Sequence, residues 1–285
     1  MKQYGYFTGP DGFCSEIKNA KIVILPVPYD KTSTWIKGAD KGPLALIEAS
    51  SALELYDIET DFEVYKKGIY TCPPVSVDDL PEKMVEEIKD EVLKLLGMDK
   101  FVVILGGEHS VSIGSVSAHN NKYKNLSVLQ LDAHSDLREQ YEGTRYNHAC
   151  VGARIKEMCP LVQVGIRSMC VDEKDSLITG DVFPAEKIIE NDNWINKVNQ
   201  RLSDNVYVTI DVDVFDSSIM PATGTPEPGG LNWYQIIKLL KNLTEHKNIV
   251  GFDIVELCPI KQNKAPDFLA AKLCYKFLSY IFKTK

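Results

Sequence analysis

Four short segments carry most of the side chains that could hold a cation or move a proton: GGEHS (106–110), DAHSD (132–136), TIDVDVFD (209–216) and GFDIVE (251–256). The first three supply His109, Asp132, His134, Asp136, Asp211 and Asp213, which are four carboxylates and two imidazoles with no thiol. Oxygen-rich ligation with some imidazole suits manganese better than structural zinc. Two divalent cations balance four carboxylates, whereas one leaves buried like charges unpaired at high cost. In extended chain, side chains at i, i+2 and i+4 share a face. The spacing D-x-H-x-D therefore predicts that Asp132, His134 and Asp136 point together, and Asp211 with Asp213 likewise. A lone D-x-D is more often a solvated loop, and a lone histidine more often structural. Here the conjunction decides: of five histidines, His109, His134 and His148 fall in the motif regions, while His119 and His246 read as ordinary helix or loop residues.

Something must bring these segments together. Each motif region follows or ends an apolar, β-branched run, and strands are predicted over residues 21–25, 101–105, 127–131, 161–164, 206–210 and 249–254. Pro26-Val27-Pro28 reads as a turn, and the Gly106-Gly107 pair as a tight exit from its strand. Helices are predicted over 42–55, 81–96, 111–119, 194–202, 232–243 and 267–282. Gly97 is expected to cap the second of these and Asp267 to be the N-cap of the last. Strand–helix alternation implies an α/β fold with a mostly parallel sheet covered on both faces. With no repeat or linker, residues 1–285 read as a single domain. In such a sheet the strand C-termini meet along one edge, where ligands bind, so Glu256 at the end of GFDIVE joins the same edge.

Composition narrows the function. The net charge is −8 with a pI near 5.3, and no basic run tracks a nucleic-acid backbone. Seven cysteines form no C-x-x-C pair, which argues against a disulfide framework or zinc ribbon. The N-terminus lacks a charged segment followed by an apolar run, and no apolar stretch approaches the roughly 18 residues that span a bilayer. A reduced, cytoplasmic protein without a membrane partner is expected.

At these motifs, and at ATGTPEPGGL (222–231) and the stretch 27–50, the sequence resembles the arginase–agmatinase (ureohydrolase) family. The resemblance spans nearly the whole chain. It implies a three-layer αβα fold, a binuclear manganese centre held by His109, Asp132, His134, Asp136, Asp211 and Asp213, and assembly into trimers or hexamers. It further implies that His148 in YNHAC is catalytic, that Glu256 pairs with a substrate guanidinium, and that Thr225 lies near the nucleophile. Thr209 stands where the family usually has serine, and Ser217 follows Asp216 where proline is common. The loop 137–150 and Cys150 match neither the usual arginase nor the commonest agmatinase pattern.

The chemistry implied is hydrolysis of a guanidino compound to urea and an amine, with agmatine, giving putrescine, as first choice. Guanidinium is resonance-stabilised and protonated, so it needs a strong nucleophile and a protonated leaving amine. Water shared by two cations, its pKa lowered from about 15.7 toward about 7, meets the first need. Asp136 is expected to carry a proton to the leaving nitrogen, and His148 to supply or shuttle one. Arg167 reads as a brace and Asn147 as a weaker candidate for orienting substrate. Arginine, guanidinobutyrate and formiminoglutamate are alternative substrates. A metal-dependent deacetylase of acetylated polyamines and a non-catalytic metal-binding assembly protein are the rival classes.

Overall fold

The computed structural model describes residues 5–78, 80–190 and 193–283. Eight strands are found among them: β1 (Ile22–Val27), β2 (Ile69–Thr71), β3 (Phe101–Gly106), β4 (Leu126–Leu131), β5 (Leu161–Ile166), β6 (Val182–Pro184), β7 (Asn205–Asp211) and β8 (Asn248–Val255). They form one sheet in the order β2-β1-β3-β8-β7-β4-β5-β6, and every neighbouring pair is parallel. The helices are α1 (Gly9–Gly12), α2 (Gly42–Ser50), α3 (Pro81–Gly97), α4 (Val111–Lys122), α5 (Val151–Lys156), α6 (Ala185–Ile189), α7 (Trp194–Arg201), α8 (Trp233–His246) and α9 (Ala265–Lys283).

The strands are apolar on both faces because both faces are covered. Along β3, Val102 and Ile104 join one core with residues of α3, α4 and α5, such as Met84, Val116 and Ile155. Val103 and Leu105 join a second core with residues of α2, α7, α8 and α9, such as Leu46, Val198, Leu240 and Phe277. The period-two alternation of a strand thus feeds two separate cores, which is the three-layer αβα arrangement.

The sheet is entirely parallel rather than mostly so, and three-residue strands β2 and β6 close its two edges. Runs that short carry no usable periodicity. The turn expected at Pro26 is instead strand: β1 runs through Val27, with Pro26 opposite Leu105. The β2 pairing ends at Ile24 opposite Thr71, so beyond it β1 is bordered by a strand on one side only, where the absent N–H of proline is tolerated. Helix α2 stops at Ser50, not at residue 55. There the Ser50 hydroxyl turns back to the Ile47 carbonyl and accepts the Thr8 N–H, while Ser51 bonds Glu48, a local competition that ends helices. Gly97 lies inside α3, which is capped at Met98. Asp267 is the third residue of α9 rather than its N-cap, with its carboxylate on Lys264.

After β3 the chain passes under the loop that leaves β1. Gly107 N–H donates to Val27 O at 2.8 Å and Glu108 N–H to Tyr29 O at 2.8 Å. A Cβ on Gly107 would lie 1.8 Å from Tyr29 O. Close backbone approach, not a positive φ, is therefore why glycine stands here. Gly107→Ala should lower stability by about 3 kcal/mol or more, by the usual scale for overpacking a rigid site. An unchanged urea midpoint would show that the β1 loop can move aside.

Candidate metal centre

The four motif strands are consecutive in the sheet as β3, β8, β7 and β4. Register pairs Leu105 with Ile254, Asp211 with Val255, and Leu131 with Ile210. The next residues out of these strands are the motif side chains, so segments far apart in the chain open onto one short stretch of the sheet's C-terminal edge.

The side chains face inward by turns rather than by extended alternation. Strand β4 ends at Leu131, and the Asp132 carboxylate accepts the His134 N–H at 2.6 Å. In the same way the Asp211 carboxylate accepts the Asp213 N–H at 2.8 Å and opens a 3-10 turn over Val212–Val214. These aspartate-closed turns do the work that the i, i+2 pattern suggested. Asp136 completes its motif with φ at 52°, in the left-handed region.

His109, Asp132 and Asp211 form one group of donors within 4.8 Å of one another, and Asp132, His134 and Asp213 form another. Asp132 belongs to both, so the two groups lie side by side. His109 Nδ1 is 3.1 Å from Asp132 Oδ2, 3.1 Å from Asp136 Oδ2 and 3.5 Å from Asp211 Oδ2. His134 Nδ1 is 2.8 Å from Asp213 Oδ2. All six expected residues are thus brought together.

The protonation of His109 follows from its neighbours. Thr209 Oγ1 donates to Asp253 Oδ1 at 2.6 Å, which commits its one proton. His109 Nε2, 2.9 Å from that oxygen, must then donate to it. That leaves Nδ1 buried and facing three carboxylates; burial works against a proton there, but Asp132 and Asp136 outweigh it and raise the imidazole well above its usual range, so without a metal a proton stands where a cation would sit. Lone pairs converging in a buried place repel unless a cation lies among them, so the donor set fits a divalent metal pair. The titration behaviour agrees. Burial, then the charges of Asp213 and Asp136, pushes Asp132 up to about 7. Burial, then Asp213, Asp132 and Glu256, holds Asp211 well above the usual carboxylate range. Burial works against protonation of His134, but Asp213 outweighs it and raises the imidazole to about 10.

Glu256 sits at the end of β8 with φ at 63°. Its N–H donates to Gly107 O at 2.8 Å, and its Oε1 accepts the His109 N–H at 2.7 Å. Oε2 has no hydrogen bond among the described residues; a Cβ on Gly224 would lie 3.8 Å from it. A cavity of about 260 Å³ opens over the donors, bordered by Glu256, His148, Asp136, Trp35, Tyr141 and Thr225.

The family model for arginase matches residues 20–279. The chain belongs to the arginase family. It is 38% identical over 273 residues to the N(1)-aminopropylagmatine ureohydrolase of Synechocystis, covering 92% of this chain and 89% of that protein. It is 36% identical over 266 residues to the agmatinase of Pyrococcus horikoshii, covering 91% and 92%. The crystal structure of the agmatine ureohydrolase of Thermoplasma volcanium superposes with a TM-score of 0.89 at 29% identity, covering 99% of this chain and 96% of that one.

In this arginase-family chain the remaining expected residues divide. His148 lines the cavity and opens the short turn His148–Cys150, which Asn147 caps by accepting the Ala149 N–H at 3.0 Å. Asn147 therefore acts on the backbone. Thr225 is exposed on the cavity wall, while Thr223 lies buried beside it. Arg167 braces, as expected: its guanidinium donates to the carbonyls of Gly165, Asp213, Phe215, Glu227 and Pro228. Cys150 is buried, and its thiol is pushed up to about 11 by that burial. His119 is a buried helix residue bonded to Ser115 O at 2.8 Å, and His246 ends α8. No helix of the described residues is long and apolar enough to cross a membrane.

Sequence reasoning missed the residues that hold the donors. Gln130 Nε2 donates to Asp132 Oδ2 at 2.7 Å, and Gln163 Nε2 donates to Gln130 Oε1 at 3.0 Å and Ser135 O at 2.6 Å. A glutamine inside an otherwise apolar strand was the available signal, since a buried amide needs partners.

These shifts set how the chelated protein responds to pH. An Asp132 proton held to about pH 7 when folded leaves near pH 4 when unfolded. Between those values the folded chain binds more protons, so stability falls as pH rises. With chelator present, Tm should fall from about pH 5 to about pH 8, and added manganese should raise Tm more at the higher pH. An equal manganese effect at both would mean that the ion binds elsewhere.

Proposed function

We propose that this chain hydrolyses a linear guanidinoalkylamine to urea and an amine with a manganese pair, agmatine being the first substrate. The observation that carries the reading is Glu256. One of its oxygens is anchored on the His109 N–H and the other is left without a partner among the described residues, at a cavity that is also lined by His134, Asp136, Asp211 and Asp213 of the donor cluster. His109, Asp132, His134, Asp136, Asp211 and Asp213 would hold the metals. Bound there, the pair would supply a water acidic enough to serve as nucleophile near neutral pH.

The chain's own groups do the rest. Glu256 Oε2 accepts from the guanidinium and orients its carbon toward the donor cluster. Asp136 takes up a proton and delivers it to the leaving nitrogen, and His148 supplies or shuttles a proton at the cavity wall. Thr225 contacts the substrate from the glycine-rich loop. Trp35, which is 75% exposed, and Tyr141 offer apolar walls to an alkyl chain.

A second reading is agmatine extended by an aminopropyl group, favoured by the relative from Synechocystis and by the exposed aromatic wall. Arg138 keeps carboxylate-bearing substrates under test: it lines the same cavity, with its guanidinium 4.5 Å from the Tyr141 ring centre. A panel of agmatine, aminopropylagmatine, arginine, guanidinobutyrate, formiminoglutamate and an acetylated polyamine, assayed with and without manganese, tests the proposal. Urea from a guanidinoalkylamine, dependent on manganese, is expected. Acetate release without urea, or turnover of nothing, removes it.

Asp211→Asn and His134→Ala should abolish turnover while the chain still folds. Glu256→Gln should lower kcat/KM by about 100-fold, the scale for losing one partner of a buried charge pair. Unchanged kcat/KM in Glu256→Gln would reassign that carboxylate.

A further inference from the structure

His148 is held by groups from two other loops. Thr32 lies in the loop after β1 and Glu108 directly after β3; both are buried. Glu108 accepts from Ser110 N–H at 2.9 Å, from Ser110 Oγ at 2.8 Å and from Thr32 Oγ1 at 2.9 Å. The Thr32 hydroxyl in turn receives the His148 backbone N–H at 3.0 Å and lies 3.3 Å from His148 Nδ1. A hydroxyl has one proton and two lone pairs. With the proton committed to Glu108, Nδ1 can only donate to the oxygen. The ring is then protonated at Nδ1 in either charge state, and Nε2 is the nitrogen that loses or gains a proton. No hydrogen bond engages Nε2 among the described residues, and His148 lines the cavity.

We propose that Thr32, oriented by Glu108, is a positioning residue that fixes the ring and tautomer of His148 so that Nε2 is the nitrogen offered to substrate. The inference rests on the catalytic reading of His148. Ser110 also holds Glu108, with its hydroxyl on the same Oε1 that takes Thr32 and its N–H on Oε2, so the chain Ser110–Glu108–Thr32–His148 joins the segments after β1 and β3 to the connection between β4 and β5. Misdirecting the ring should slow proton transfer without altering guanidinium binding at Glu256.

The test uses the manganese-loaded enzyme with agmatine. Thr32→Val keeps the shape and removes the hydroxyl; it should lower kcat by about 10- to 100-fold, the usual range for such supporting contacts, with KM changed by less than about threefold. Thr32→Ser should recover most of that loss, because the hydroxyl returns. In a His148→Ala background, adding Thr32→Val should cost little more, since the two act through one ring. Thermal melts of each variant separate misfolding from misdirection.

Full kcat in Thr32→Val, equal losses in the Val and Ser variants, or a further loss of comparable size in the double variant would each overturn the positioning role. A fully active His148→Ala would instead remove the catalytic reading of His148, and the positioning role with it. An inactive His148→Ala beside an unaffected Thr32→Val leaves the catalytic reading intact and removes only the role of Thr32.

Discussion

The interior of this protein contains a place where negative charge is forced together. Asp132, Asp211 and Asp213 sit at the ends of two adjacent parallel strands, with Asp136 one turn further on. Parallel strands deliver their C-termini to the same edge, so the topology concentrates these groups whatever their mutual repulsion. Burial then amplifies that repulsion, because a carboxylate removed from water is costly unless matched. Two imidazoles offset a part of it. The rest is what a pair of divalent cations would offset, and the architecture around the acids makes sense as a frame that keeps them from relaxing apart.

That frame consists of committed hydrogen bonds. Asp132 is fixed by the amide of Gln130, which is fixed by Gln163. His109 is fixed by Thr209, and Thr209 by Asp253. His148 is held by Thr32, and Thr32 by Glu108. In the last two a threonine hydroxyl relays between an imidazole and a buried carboxylate, so each acid determines which ring nitrogen carries a proton. Glu256 and Asp136 add backbone constraint through their left-handed φ values, a conformation that non-glycine residues adopt only where surrounding contacts hold it.

Much of this was legible in the chain. The interior strands are long, aliphatic and bounded by turn residues, and six of the eight could be read from that pattern. The donor residues were legible because chemistry restricts which side chains can hold a hard cation. The edge strands β2 and β6 were not, since three residues show no period. The end of α2 was missed because it depends on Ser50 meeting Thr8 across 42 positions of sequence. Extended geometry gave the right residues at Asp132–His134 and Asp211–Asp213 for the wrong local reason, as a side chain closing on its own backbone also brings i and i+2 to one side. The supporting glutamines, threonines and Glu108 were hidden because their roles exist only once the strands are side by side.

Arg167 has a consequence for how such proteins can be altered. Its single guanidinium ties together carbonyls of Gly165, Asp213, Phe215, Glu227 and Pro228, while Asp216 grips Gly229 and Gly230 from below. The glycine-rich segment is therefore not an independent module. Anyone grafting that segment from a relative to retune substrate choice would have to transplant the arginine and the aspartate-rich turn along with it, as one unit of inheritance.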